Sequence, residues 1–168
     1  MFLDSFATLT EFSIAVAGFS GVAVAIAGRD GAVEPVVWFR NLSMLTSAVG
    51  AAFASFLPHL AASFGMSGPP LWAVCSIGLA LIQAIVIATP LMAVRHLRSG
   101  ERRFLATYMW IIWLVGIPSF LLWQLFNAAG LAGSASPGPI VAGIAWLLFI
   151  SAFLFVRMLA RPPNRPAA

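Results

Sequence analysis

The feature that most restricts this chain is a series of five long apolar stretches, separated by short segments rich in charge, glycine and proline. A bilayer core of about 30 Å is crossed by roughly 20 apolar residues of helix, each rising about 1.5 Å. The stretches near 4–28, 37–63, 71–94, 104–128 and 139–160 all reach that length. Between them, RDGAVEP (29–35), GMSGPP (65–70), RHLRSGERR (95–103) and AGLAGSASPGP (129–139) read as turns. The expected fold is all-α: an integral membrane helical bundle of five transmembrane helices in one domain, 1–160, with a proline-rich disordered tail over 161–168. The turns are short, so consecutive helices should be antiparallel neighbours. Pro58, Pro90 and Pro118 fall inside spans two, three and four, where each removes a backbone hydrogen bond.

Composition excludes several function classes. The chain is 61% hydrophobic and 8% charged, against about 45–50% apolar and roughly a quarter charged in a soluble domain. The net charge of +4 comes from nine arginines and no lysine against Asp4, Glu11, Asp30, Glu34 and Glu101. That is too sparse for a nucleic-acid-binding face, so no nucleic-acid partner is expected. A single cysteine, Cys75, excludes an internal disulfide, a Cys-rich metal site and a CxxC redox centre, and the lack of lysine excludes a retinal Schiff base.

All nine arginines lie on one side of the five spans: Arg29 and Arg40 around the first turn, Arg95, Arg98, Arg102 and Arg103 in or beside the third, and Arg157, Arg161 and Arg165 at the end. The positive-inside rule then gives an N-out, C-in topology, a cytoplasmic tail and the second and fourth turns outside. No cleavable signal peptide is expected, because the first apolar stretch is long and has no basic residue before it. The expected location is the bacterial inner membrane.

The first span carries the sharpest pattern. At alternating steps of four and three it reads Asp4, Thr8, Glu11, Ala15, Gly18, Val22, Ala25, Arg29, one face that is acidic at the outer end, small in the middle and basic inside. Small residues also favour close helix packing, and Ala17, Gly21 and Ala25 have that spacing. Packing does not account for Glu11, since an ionisable group inside a span costs about 2.5 kcal/mol or more unless it meets water or a partner. Counting from the inner arginines at 1.5 Å per residue places Glu11 about 27 Å up, His59 about 28 Å and Gln124 about 31 Å. All three are then near the outer boundary, where Glu11 can meet His59 or Gln124. By the same count Trp113 and Trp146 lie about 15 and 17 Å up and Gln83 about 18 Å, so Gln83 is a candidate acceptor for a buried indole. The alternative for Glu11, His59 and Gln124 is that each simply reaches the outer interface; Gln83 and the indoles belong either to a hydrogen-bonded bundle interior or to a small-molecule pocket.

The run LTEFSIAVAGFSG (9–21) resembles the opening helix of small bacterial multi-span membrane proteins of uncharacterised function; the likeness covers about the first third of the chain and implies no activity. Gly18-Phe19-Ser20-Gly21 also matches the GxSG motif that holds the nucleophile of rhomboid intramembrane proteases. That resemblance would require a histidine close enough to take the Ser20 proton. Ser20 lies about 14 Å up, whereas His59 lies about 28 Å up and His96 at the inner surface. The motif sits on the first span, and the tryptophan-arginine loop motif of rhomboids is missing. No enzyme is expected. The two histidines, near opposite faces, cannot share a haem iron, so no cofactor is expected. One Glu and one His per chain, Glu11 and His59, make a weak metal signature.

These readings lead to a homo-oligomeric membrane channel or pore lined by the first helix. Its pore would carry a Glu11 ring outside, a constriction at Ala15, Gly18, Val22 and Ala25, and Arg29 at the inner exit. Carboxylate rings favour cations, and apolar constrictions gate by dewetting. The stripe is similar to the pore helix of Orai calcium channels, which also has an outer glutamate, an apolar middle and a basic inner end. It differs from them in its direction through the membrane and in span number, so the likeness is one of physics. The alternative is a non-catalytic accessory subunit packing against another membrane protein through its small-residue face.

Overall fold

The computed structural model describes residues 2–27, 35–95, 115–131 and 133–159, and the described residues are all-helical, without strands. Five helices follow one another: α1 (Phe2–Ala27), α2 (Pro35–Ser63), α3 (Gly68–Arg95), α4 (Ile117–Ala128) and α5 (Pro137–Leu159). Four of them, α1, α2, α3 and α5, are long and apolar enough to cross a membrane. The expected fourth span is described only from 115, with a π turn at 115–116 before α4. Its 104–114 part, Trp113, Arg29, His96 and the tail 161–168 lie outside the described residues.

Glycine and proline set the helix ends. Two helices stop in the same way: Gly65 (φ 78°) and Gly130 (φ 67°) take the left-handed conformation that glycine adopts without steric cost. After α2, Gly65 N–H donates to the Ala62 carbonyl at 2.9 Å and Met66 N–H to Ala61 at 3.3 Å. After α4, Gly130 N–H donates to Asn127 at 3.2 Å and Leu131 N–H to Phe126 at 3.0 Å. This Schellman pairing satisfies carbonyls that a helix end leaves free. Pro35 and Pro137 open α2 and α5, and Pro118 falls in the first turn of α4, where a missing N–H removes no helical bond. Sequence places Pro118 inside the fourth span, whose 104–114 part lies outside the described residues.

The bundle centres on α2, which packs against α1, α3 and α5. Its inward face is small and hydroxylated: Ser43, Ser47, Ala48, Ala51, Ala54 and Ser55 are all fully buried. Two of these hydroxyls bond back along the helix, Ser43 to the Phe39 carbonyl at 2.8 Å and Ser55 to Ala52 at 2.9 Å, while Ser47 Oγ has no partner among the described residues. From α5, Ile140, Ile144, Leu147 and Ile150 fill the space opposite. The exterior is unusually apolar. Gln83, Gln124, Asn127 and Ser151 are buried, whereas Phe53, Phe64, Leu81 and Ile85 are more than 60% exposed. An apolar exterior that keeps polar side chains inside suits a hydrocarbon solvent, and with four spanning-length helices it suggests a membrane protein.

Candidate functional site

On α1 the sequence stripe and the packing face are different surfaces. Phe6, Ser13 and Ser20 are buried at seven-residue intervals and dock the helix on its neighbours. Ser13 bonds back to the Leu9 carbonyl at 2.7 Å, Ser20 lies 3.4 Å from the Ser151 hydroxyl of α5, and Phe6 stacks on Trp72 with centroids 5.9 Å apart. Glu11 and Ala15 flank Ser13, and Gly18 and Val22 flank Ser20, each two residues away and so about 200° round the helix. Glu11, Ala15, Gly18, Val22 and Ala25 are accordingly all exposed. Only 11% of the spanning window of α1 is buried, against 50% for α2.

Gly18 and Gly21 make no close helix contact among the described residues, since a Cβ at either would meet nothing within 4 Å. The small-residue packing expected at Gly21 is therefore not an internal contact. Close approach occurs instead at Gly50, Gly78, Gly116 and Gly143, where a Cβ would press on side chains of other helices.

Glu11 is exposed on α1, and its expected partners His59 and Gln124 lie on α2 and α4. His59 is half-buried on α2, and its Nε2 has no hydrogen-bond partner. Gln124 is fully buried between α3 and α5 and donates to the Pro139 carbonyl at 2.6 Å. Its amide reaches from Gly143 to Pro139 on α5, fourteen and eighteen residues before Arg157, hence about 21–27 Å up by the 1.5 Å rise. The sequence count of about 31 Å ran up from Arg103 through 104–114, which lie outside the described residues.

The structure instead brings Gln83 and Gln124 together. A Cβ on Gly143 would stand 2.8 Å from Gln124 Nε2 and 3.1 Å from Gln83 Nε2, so carboxamides from α3 and α4 converge on one glycine of α5. Three residues further along α5, the Trp146 ring lies on Gly116, stacked with Phe120 at 5.2 Å and Phe149 at 5.4 Å. The expected bond between Gln83 and the Trp146 indole is not made, and Trp113 lies outside the described residues. Among the described residues, Gln83 Oε1 and Nε2, Gln124 Oε1 and Trp146 Nε1 are all buried without a protein partner. Each such atom costs about 1–3 kcal/mol.

Asn127 was not singled out from sequence. Its amide donates to Ser76 Oγ at 2.8 Å and to the Ser136 carbonyl at 2.9 Å, and its oxygen accepts from Ser136 N–H at 3.1 Å, tying the α4–α5 turn to α3. The signal available was an asparagine three residues before a helix-ending glycine. No cluster of three or more His, Cys, Asp or Glu side chains occurs among the described residues. The chain matches no protein-family model, no curated protein and no solved structure.

Proposed function

We propose that this chain forms a homo-oligomeric, cation-conducting channel of the bacterial inner membrane, with five spans in an N-out, C-in topology and α1 lining the axis. The observation that carries the reading is the outward stripe. Glu11, Ala15, Gly18, Val22 and Ala25 face away from the helices on which α1 docks, so the surface with the most chemistry is the one offered to other molecules. Lipid is a poor solvent for the Glu11 carboxylate, whereas a ring of copies around water is a good one. Arg29 continues the stripe toward the inner exit.

Purification in mild detergent tests this directly. A symmetric oligomer of one chain, with α1 against its axis in a low-resolution projection, is the expected result. A monomer that captures a different membrane protein through the same face would favour the accessory-subunit reading, which the exposed, open glycines also support.

Glu11→Gln is expected to lower cation flux in liposomes at least tenfold, and His59→Ala to change it little, both compared at equal expression. Loss of the folded oligomer in the glutamine variant would make Glu11 a structural partner and weaken the pore reading.

For topology, a cysteine at exposed Ser134 in the α4–α5 turn should react with an impermeant maleimide from outside, and one at Gly100 only after permeabilisation. Native Cys75 is buried and does not compete. The reverse pattern would remove the orientation and the depth counts that rest on it.

A further inference from the structure

We propose that Gln83, Gln124 and Trp146 form a binding site inside the bundle for small neutral hydroxyl molecules, water above all, that donate and accept hydrogen bonds at once. It is separate from the α1 stripe and goes beyond the channel reading.

Three observations converge. Gln83 and Gln124 are fully buried and come from different helices to the same glycine, Gly143. Gln124 cannot turn its amide freely, because its nitrogen is held by the Pro139 carbonyl at 2.6 Å and its oxygen is left facing the interior. Trp146 follows Gly143 by three residues, about 4.5 Å along the axis, and its indole nitrogen is also unmatched. The unmatched set is balanced: Gln83 Nε2 and Trp146 Nε1 donate, Gln83 Oε1 and Gln124 Oε1 accept.

That balance defines the ligand class. A cation would use only the acceptors and an anion only the donors, and none of the three side chains supplies a counter-charge. A hydroxyl serves both, and water, with two to four hydrogen bonds to buried polar groups, serves both in the least space. By depth count from Arg95 and Arg157 the site lies about 17–21 Å from the inner arginines, well inside the hydrocarbon region. Water there must be held by the protein.

The experiment uses the full chain in lipid nanodiscs with tryptophan labelled with ¹⁵N at the indole, the Trp146 resonance being assigned from Trp146→Phe. Trp38 and Trp123, on the exposed surface of α2 and α4, are internal references outside the site. The expected result is a water cross-peak on the Trp146 indole proton that falls several-fold in Gln83→Met, while the Trp38 and Trp123 resonances do not change. Glycerol distinguishes the source: displacement of the water cross-peak with a shifted Trp146 resonance assigns the site to small alcohols, and no change assigns it to water. No cross-peak and no glycerol shift in the wild-type chain would overturn the proposal, as direct pairing of the side chains then closes the site. A cross-peak insensitive to Gln83→Met would overturn it too, and if that variant does not fold, Gln124→Met is read in the same way.

Discussion

Gly116→Ala is expected to destabilise the protein by about 1–3 kcal/mol, the usual cost of overpacking, although it adds one methyl group and suits a helix. A Cβ at Gly116 would overlap the Trp146 ring, with Cε2 at 3.0 Å and Nε1 at 3.2 Å. The ring cannot swing aside cheaply, because Phe120 and Phe149 stack on it and Phe149 stacks in turn on Phe153 at 6.0 Å. Backbone strain is not the cause, since Gly116 has an ordinary helical φ of −61°. Gly138→Ala on α5 is the matched control: its Cβ would meet nothing within 4 Å, and the same change there should be neutral or stabilising by up to about 1 kcal/mol. Thermal unfolding in detergent, followed by near-UV dichroism, reads both. Trp146→Phe should recover part of the Gly116→Ala loss, because contacting sites are not additive. Equal effects of the two alanines, or no recovery in the double variant, would mean that the indole does not rest on Gly116.

That contact also marks where sequence reasoning stopped. The apolar stretches and their glycine and proline boundaries made α1, α2, α3 and α5 legible, since helix length and helix termination are local properties. The α1 stripe was legible because it is a periodicity. The partner of each face was not. α2 shows a run of serine and alanine that reads as easily for an exposed face as for a buried one, and its central place follows from three helices closing on it. Gln83 and Gln124 are 41 residues apart in sequence, and their meeting at Gly143 depends on the register of α3, α4 and α5. Depth counting set Gln83 at about 18 Å and Gln124 at about 31 Å, a difference that hid how far a long carboxamide side chain reaches along the bundle. Asn127 was missed for a different reason, as its bonds to Ser76 and Ser136 close a turn whose shape only the folded chain defines.

Gly18→Leu is expected to abolish flux through reconstituted liposomes while the oligomer persists on a sizing column, and Gly21→Leu to break the oligomer instead. The isolated chain makes this comparison clean. Neither position has an atom within 4 Å of a Cβ, so the fold itself gives little reason for either variant to differ from the parent. Any difference must come from what faces α1 in the assembly. Gly18 lies on the stripe with Glu11, and a leucine there projects toward the axis, where it narrows the constriction already formed by Ala15 and Val22. Gly21 is turned about 60° from Gly18 after three helical steps of about 100°. In a ring of copies that direction meets the neighbouring subunit, where a leucine would force apart backbones that small residues let approach. Circular dichroism should show intact helices in both variants. Loss of assembly with Gly18→Leu together with normal flux in Gly21→Leu would exchange the two faces, place the stripe at a seam between subunits or against another protein, and leave Glu11 as an interface residue.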